Sequence, residues 1–217
     1  MPRGVAIGNA REVLFDAAER VLARQGPAGL TNRAITTEAG CAKGLLYNHF
    51  ADLDEFIAQL VLRHFERVAA QAANLPAQIG TATVARNLTD AALALLGPPG
   101  PAIAAIALSR PGVSGRLRDA WRHGAPGFPV IEQSLVDYVV AELDAGRLAP
   151  GTEPRTVALA VVGVAHHLLM TGGADPRDAR TVLGRLVAAL LGQPESVSRT
   201  GARTAGRTAA PARADAR

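Results

Sequence analysis

Cysteine, lysine and aromatic side chains are scarce in this chain of 217 residues, which has one cysteine, one lysine, five Phe, two Tyr and one Trp. A single thiol, Cys41, excludes an intramolecular disulfide framework and fits a reducing cytoplasm. Stability must therefore come from a core, and a hydrophobic content of 48% supplies ample material for one. Long apolar runs are also missing. The longest, Val157 to Met170, is 14 residues and is broken by Gly163 and by His166–His167. That is short of the roughly 18–20 residues that span a bilayer, so no membrane association is expected. No charged-then-apolar leader is seen at the N-terminus, and the expected location is cytoplasmic. Equipment for catalysis is lacking too. Gly112–Val113–Ser114–Gly115 does not have the spacing of a nucleophile elbow, and there is no Gly-rich phosphate loop. His166 and His167 point about 100° apart on a helix, with no cysteine or carboxylate nearby, which argues against a metal site. No enzyme, cofactor or metal is expected.

Charge of one sign is not in excess where it would be most informative. The net charge is +4, yet residues 1–67 hold eight basic and eight acidic groups. Global charge thus gives no argument for nucleic acid, and local placement has to supply it.

Apolar spacing is helical almost throughout, with no strand-like alternation. Asn9 with Glu12 has the pattern of a capping box, and Val13/Leu14, Ala17/Ala18 and Val21/Leu22 then form a stripe ended by Gly26–Pro27. Two short pieces follow, Asn32–Ala39 and Ala42–Phe50, separated by Gly40. Asp52 and Glu55 open a long helix reaching about Ala73. Further helices are expected near 81–96, 102–109, 114–123, 129–145, 154–170 and 176–191, punctuated by Gly97–Pro98–Pro99, Pro111–Gly112, Gly146, Gly172–Gly173 and Gly192. Asp175 before Pro176 has the signs of a helix start. The fold class is all-α, with about nine or ten helices. Residues 1–8 are expected to form a flexible arm, 9–56 a helix-turn-helix domain, 57–192 a regulatory and dimerisation domain, and 193–217 a disordered Arg/Ala-rich tail.

Two short helices around a glycine, after a longer amphipathic one, have the layout of a helix-turn-helix. Ile35 and Leu46 suit a shared core, and Gly40 suits the positive φ of a tight turn. The second short helix would present Lys43, the lone lysine among 22 arginines, to a major groove. Gly44 would let backbone approach DNA, and Tyr47 and His49 carry polar tips suited to phosphate oxygens. Tyr47 alternatively packs the small domain, and Phe50 is read as core.

The string GLTNRAITTEAGCAKGLLYNHF, Gly29 to Phe50, resembles the signature of the tetracycline-repressor (TetR) family, above all in Ala-Gly followed by Lys-Gly-x-Leu-Tyr-x-His-Phe. The resemblance implies a bacterial transcription regulator, commonly a repressor, that binds palindromic operator DNA as a homodimer and is released by a small effector. It places Lys43, Gly44 and Leu45 against bases, and Thr31, Arg33, Tyr47 and His49 against phosphates. Ala42 stands where a capping Ser or Thr is usual, Leu45 where a Thr is frequent, Leu53 where a phosphate-binding Lys is common, and Thr36 where Ala is usual.

The remaining helices mix many Ala and Gly with isolated bulky groups, which can leave a cavity. Phe65, Ile103, Ile106, Trp121, Phe128, Tyr138 and His167 are the expected lining for a largely apolar, unidentified effector, with polar groups such as His64, His123 or His167 available to orient it, although ordinary core filling is open for the aromatics. The final two helices are the expected dimer interface through Ala160, Gly163, His167, Leu186, Val187 and Leu190, because 157–170 is apolar around most of its circumference. The competing reading is a helical DNA-binding regulator controlled by a protein partner, with no small-molecule ligand.

Overall fold

A computed structural model describes residues 9–171 and 175–192. The expected arm 1–8, the break at Gly172–Gly173 and the tail 193–217 lie outside the described residues. Ten α-helices and no strand occur among those described.

Helix α1 (Ala10–Gln25) buries Leu14, Ala17, Ala18, Val21 and Leu22 of the expected stripe, while Val13 is half-buried and Phe15 is buried in its place. Its expected capping box does not form. The Asn9 side chain makes no cap bond, and Glu12 pairs instead with Arg63 at 2.6 Å. After a 3₁₀ turn (Pro27–Gly29) comes α2 (Asn32–Glu38), capped by Thr31 Oγ1, which accepts from the Ala34 N–H at 3.1 Å. Helix α3 (Leu45–His49) is shorter than the expected 42–50. Residues 43 and 44 lie in a turn, for two local reasons: Ala42 has no side-chain oxygen to cap a helix, and Gly44 disfavours helical backbone.

Helix α4 (Leu53–Ala73) is capped as expected, with Asp52 Oδ1 accepting from the Glu55 N–H at 2.7 Å. The reciprocal bond runs one residue further back, from the Ala51 N–H to Glu55 Oε2 at 2.6 Å. Six helices follow: α5 (Val84–Leu96), α6 (Gly100–Ser109), α7 (Pro111–Arg122), α8 (Phe128–Asp144), α9 (Pro154–Thr171) and α10 (Pro176–Leu190). Pro111–Gly112, expected as a break, instead begins α7. Proline at the first helical position gives up an N–H that has no partner there anyway. Asp175 Oδ1 caps α10 by accepting from the Arg177 N–H at 2.8 Å.

Helix α4 joins the small N-terminal bundle to the larger body. Near its start Phe56 stacks on Phe15 (5.2 Å between centroids) and meets Phe50 edge-on (5.0 Å), so Phe50 is core. Its later turns pack against α5, α6, α7 and α8. Helices α8, α9 and α10 complete the body, with α9 and α10 both also against α5.

Ion pairs lace the two parts together. Arg63 reaches Glu12, Asp16 and Glu19 of α1, and Arg67 reaches Glu19. On the opposite side Arg110 Nε donates to Asp54 Oδ1 at 2.6 Å, and Arg116 Nη2 to Asp52 Oδ2 at 2.6 Å. The start of α4, just after α3, is thereby clasped to the junction of α6 and α7. Behind it, one buried polar group closes the body. Asn87 Nδ2 donates to the Tyr138 hydroxyl at 2.8 Å, and the enclosed carboxylate of Glu142 meets Arg147 at 3.1 Å.

Candidate nucleic-acid interface and inner cavity

Helices α1, α2 and α3 bury Leu14, Ile35 and Leu46 completely against one another and α4. The turn between α2 and α3 relies on Gly40, whose φ of +65° L side chains rarely adopt. Backbone bonds from Gly40 N–H to Thr37 O (3.1 Å) and Cys41 N–H to Thr36 O (3.0 Å) close it. Thr36 is buried, and its hydroxyl donates to the Asn32 carbonyl at 2.9 Å, so Thr here is satisfied inside its own helix. Asn32 Nδ2 donates to the Lys43 carbonyl at 3.3 Å and ties the start of α2 to the turn before α3. Cys41 is half-buried, and burial pushes its thiol pKa up, away from reactivity.

The folded bundle leaves Thr31, Arg33, Lys43, Gly44, Tyr47 and His49 exposed, with Leu45 half-buried against the core. Tyr47 is 54% exposed, so it is not a packing residue of the small domain. Arg20 and Arg24 both turn to Glu38, whose carboxyl the Arg24 and then the Arg20 hydrogen bonds hold below its usual pKa. Arg11 lies over the Phe50 ring (4.5 Å) and donates to the His49 carbonyl at 3.2 Å. This pairing explains how a stretch of zero net charge still presents cations. Six of the eight acidic groups are matched to arginines, Glu12, Asp16, Glu19 and Glu38 to those of α1 and α4 and Asp52 and Asp54 to Arg116 and Arg110, while Arg33 and Lys43 make none of these ion pairs. Gly44 has an ordinary φ of −79°, and a Cβ there would meet nothing within 4 Å. The fold itself does not require a glycine at that position.

A cavity of about 310 Å³ opens between α4, α5, α6, α7, α8 and α9. Four of the residues expected from sequence, Phe65, Ile103, Trp121 and Phe128, stand on its wall. Phe65 meets Trp121 (5.6 Å) and Phe128 (5.0 Å) edge-to-face. The other three do not line it. Ile106 is buried in the core, Tyr138 belongs to the Asn87–Glu142 group, and His167 is exposed on α9. His64 and His166 line the cavity in their place. His64 occupies a buried position on the apolar stripe of α4 between Leu60, Val61 and Val68. A histidine at a core position was the signal in the sequence for it. Burial, and then the Arg67 charge, push its pKa below 6.5, so the ring is neutral near pH 7.

On the expected dimer face, Gly163 and His167 are exposed, and Ala160, Leu186 and Leu190 are half-buried. Val187 is not on the surface, because it is fully enclosed in the protomer's own core. Leu159 (62% exposed) and Val182 (45%) are apolar surface residues on α9 and α10 that spacing alone did not single out. Among the described residues no single helix is long and apolar enough to cross a membrane, and no cluster of metal-ligating side chains occurs.

Solved structures share this architecture. A TetR-family transcriptional regulator from Mesorhizobium loti aligns over 87% of this chain and 98% of its own, with 18% identity and a TM-score of 0.65. GusR of Salmonella enterica covers 87% and 98% at 17% identity, TM-score 0.59. FadR of Bacillus subtilis, in complex with stearoyl-CoA, covers 85% and 99% at 16% identity, TM-score 0.54. No curated protein matches by sequence. At these identities the structural likeness speaks for the fold. The sequence of the helix-turn-helix speaks more narrowly, since residues 14–60 match the family described as bacterial regulatory proteins, tetR family. That match covers the whole of α2, the Gly40 turn and α3, so the N-terminal helix-turn-helix is similar to that of the tetR family of bacterial regulatory proteins, and the ten-helix body behind it has the fold of solved TetR-family regulators.

Proposed function

We propose that this protein is a dimeric transcription regulator that binds palindromic operator DNA through α3 and is released when a small, largely apolar molecule enters the cavity. The observation that carries the reading is the grouping of Lys43, Arg33, Thr31, Tyr47 and His49 on one exposed helix-turn-helix that the α4 start joins to the cavity walls. Gly44 supports it, being a glycine without a structural need, as close approach of a phosphate or base edge would demand. Lys43, Gly44 and Leu45 are assigned to base edges, and Thr31, Arg33, Tyr47 and His49 to phosphates. Repression is the simpler outcome, because an operator-bound dimer occludes the DNA it covers.

The cavity, with walls mostly of aliphatic and aromatic side chains, suits a small-molecule effector better than a protein partner. FadR of Bacillus subtilis, a protein of the same fold, is in complex with stearoyl-CoA, which supports the reading of a ligand-binding body. Effector binding acts only through a difference in affinity between two arrangements of the dimer, and a typical coupling of about 1–3 kcal/mol lowers operator affinity roughly 5–150-fold.

The test is to mix the purified protein with fragmented genomic DNA, sequence what is retained, and measure binding to the recovered site. A palindrome with half-sites about one helical turn apart is expected. Lys43→Ala should relax base preference at one position per half-site, at a cost of about 1–3 kcal/mol. Arg33→Ala and Tyr47→Phe should weaken binding to all sequences alike, with Arg33→Ala also flattening the salt dependence. Unchanged affinity in Lys43→Ala together with altered base preference in Tyr47→Phe would reverse these roles.

A further inference from the structure

The buried end of the cavity holds a polar group that the fold does not use. His64 is 94% buried, its 6% exposure contrasting with the open positions of Leu108, Arg118 and His166 at the other end. The wall of the same cavity is largely apolar, with Val61, Leu95, Ile103 and Leu117 among its residues. The Leu95 carbonyl lies near the ring, yet no group completes a hydrogen bond with Nε2. Gly100 keeps that side open, since a Cβ there would stand 3.2 Å from Nε2 and 2.3 Å from the Leu95 oxygen. Ser114, also on the wall, already donates to the Ala107 carbonyl. A buried polar group left unsatisfied costs free energy, and retaining one in an apolar wall calls for a partner that arrives from outside.

Resting on the reading of the cavity as an effector site, we infer that the effector is an uncharged, ring-bearing molecule with a hydroxyl group. The hydroxyl bonds to His64, and the ring lies against Phe65, Trp121 and Phe128. A hydroxyl both donates and accepts, so it pairs with a neutral imidazole in either tautomer. An anion has no buried cation to meet, because Arg118 is exposed at the mouth. Edge-to-face aromatic walls favour a ring over a flexible chain. A volume of about 310 Å³ is at the small end of ligand pockets, which run from roughly 300 to 1,000 Å³, and excludes bulky polycyclic molecules.

Three probes of one shape separate the possibilities: thymol, its deoxy analogue p-cymene, and the carboxylate cuminate. Binding to the full-length protein is followed by calorimetry and by the emission of Trp121, the only tryptophan in the chain. Thymol should bind at least about tenfold tighter than p-cymene, with cuminate weakest, and should release operator DNA. In His64→Phe the preference for thymol over p-cymene should vanish while p-cymene still binds. If that variant does not fold, the order of the three probes on the wild-type protein decides alone. Equal binding of thymol and p-cymene, or tightest binding of cuminate, overturns the assignment and leaves an effector-gated regulator standing. No binding by any of the three, with the operator complex undisturbed, counts against both.

Discussion

Tyr138 shows how a single side chain can be read in two ways. As one of few aromatics it is a natural candidate for a ligand cavity, but in the fold it is fully enclosed, with its hydroxyl accepting from Asn87. Burial, followed by the Glu142 hydrogen bond, pushes its pKa up to about 12. The folded value lies above the usual 10, so the stabilising contribution is complete below pH 10 and is lost as pH rises through about 12. An alkaline titration of stability should show a decline in that window, on the order of 2 kcal/mol, that is absent in Tyr138→Phe. The same variant should cost about 1–3 kcal/mol at pH 7, because Asn87 loses a buried partner. His64 has the opposite sign. Its folded pKa is lowered chiefly by burial, so its contribution is present above pH 6.5 and is lost as pH falls through the folded value. Thermal unfolding measured downward from pH 6.5 should fall more steeply for the wild type than for His64→Phe.

Helix α3 is only five residues long, and its start is uncapped. Ala42→Ser would place an oxygen where the N–H groups of Gly44 and Leu45 can reach it, extending the helix back to Lys43. The expected gain is about 1 kcal/mol, or some 2–4 °C in melting temperature, with increased hydrogen-exchange protection at residues 44–46. Unchanged protection there would mean that Gly44, rather than the missing cap, keeps the helix short. The clasp of α4 to the α6–α7 junction invites a different measurement. Asp52–Arg116 and Asp54–Arg110 are partly exposed pairs, each worth about 0.2–1 kcal/mol to stability. They also connect cavity-lining helices with the residues that follow α3. Replacing Arg110 and Arg116 together by alanine should leave the fold and operator affinity nearly intact, while reducing the effect of the effector on operator binding by about 2–30-fold. Full coupling in that double variant would route the signal through the packing of α6 on the Pro27–Gly29 turn instead.

The proposed dimer rests on apolar surface that one protomer leaves uncovered. Leu159 and Val182 on the last two helices are exposed, and Gly163 has open space around it, as close helix approach requires. Four helices, two from each protomer, would cover this surface and set the separation of the two α3 helices. Leu159→Glu with Val182→Glu should yield a folded monomer by light scattering, because neither side chain supports the protomer core. Loss of tight palindrome binding should accompany it. A double variant that stays dimeric would move the interface to another face, with Val130 and Val140 of α8 next in exposure.

Local rules account for what was legible without coordinates. Helix α4, the Asp52 and Asp175 caps, the Gly40 turn and the exposed residues of α2 and α3 all depend on neighbours a few positions away in the chain. Such features are written in spacing and residue type alone, whereas the family of the helix-turn-helix entered as a resemblance of residues 29–50, which the match over 14–60 supports. The tertiary structure decided matters that need distant partners. Glu12 left its expected cap because Arg63, 51 positions later, stands beside it. Phe65 and Trp121 face a cavity while Tyr138 does not, since six helices must assemble before inside and wall can be told apart. Val187 and Leu186 are adjacent in a helix whose two sides face different neighbours, so only packing assigns one to the core and leaves the other at the edge. His64 was visible as a polar residue on an apolar stripe, but its missing hydrogen bond exists only in three dimensions. Sequence spacing carries the period of a helix, whereas which side of it meets solvent, core or ligand is set by the elements packed around it.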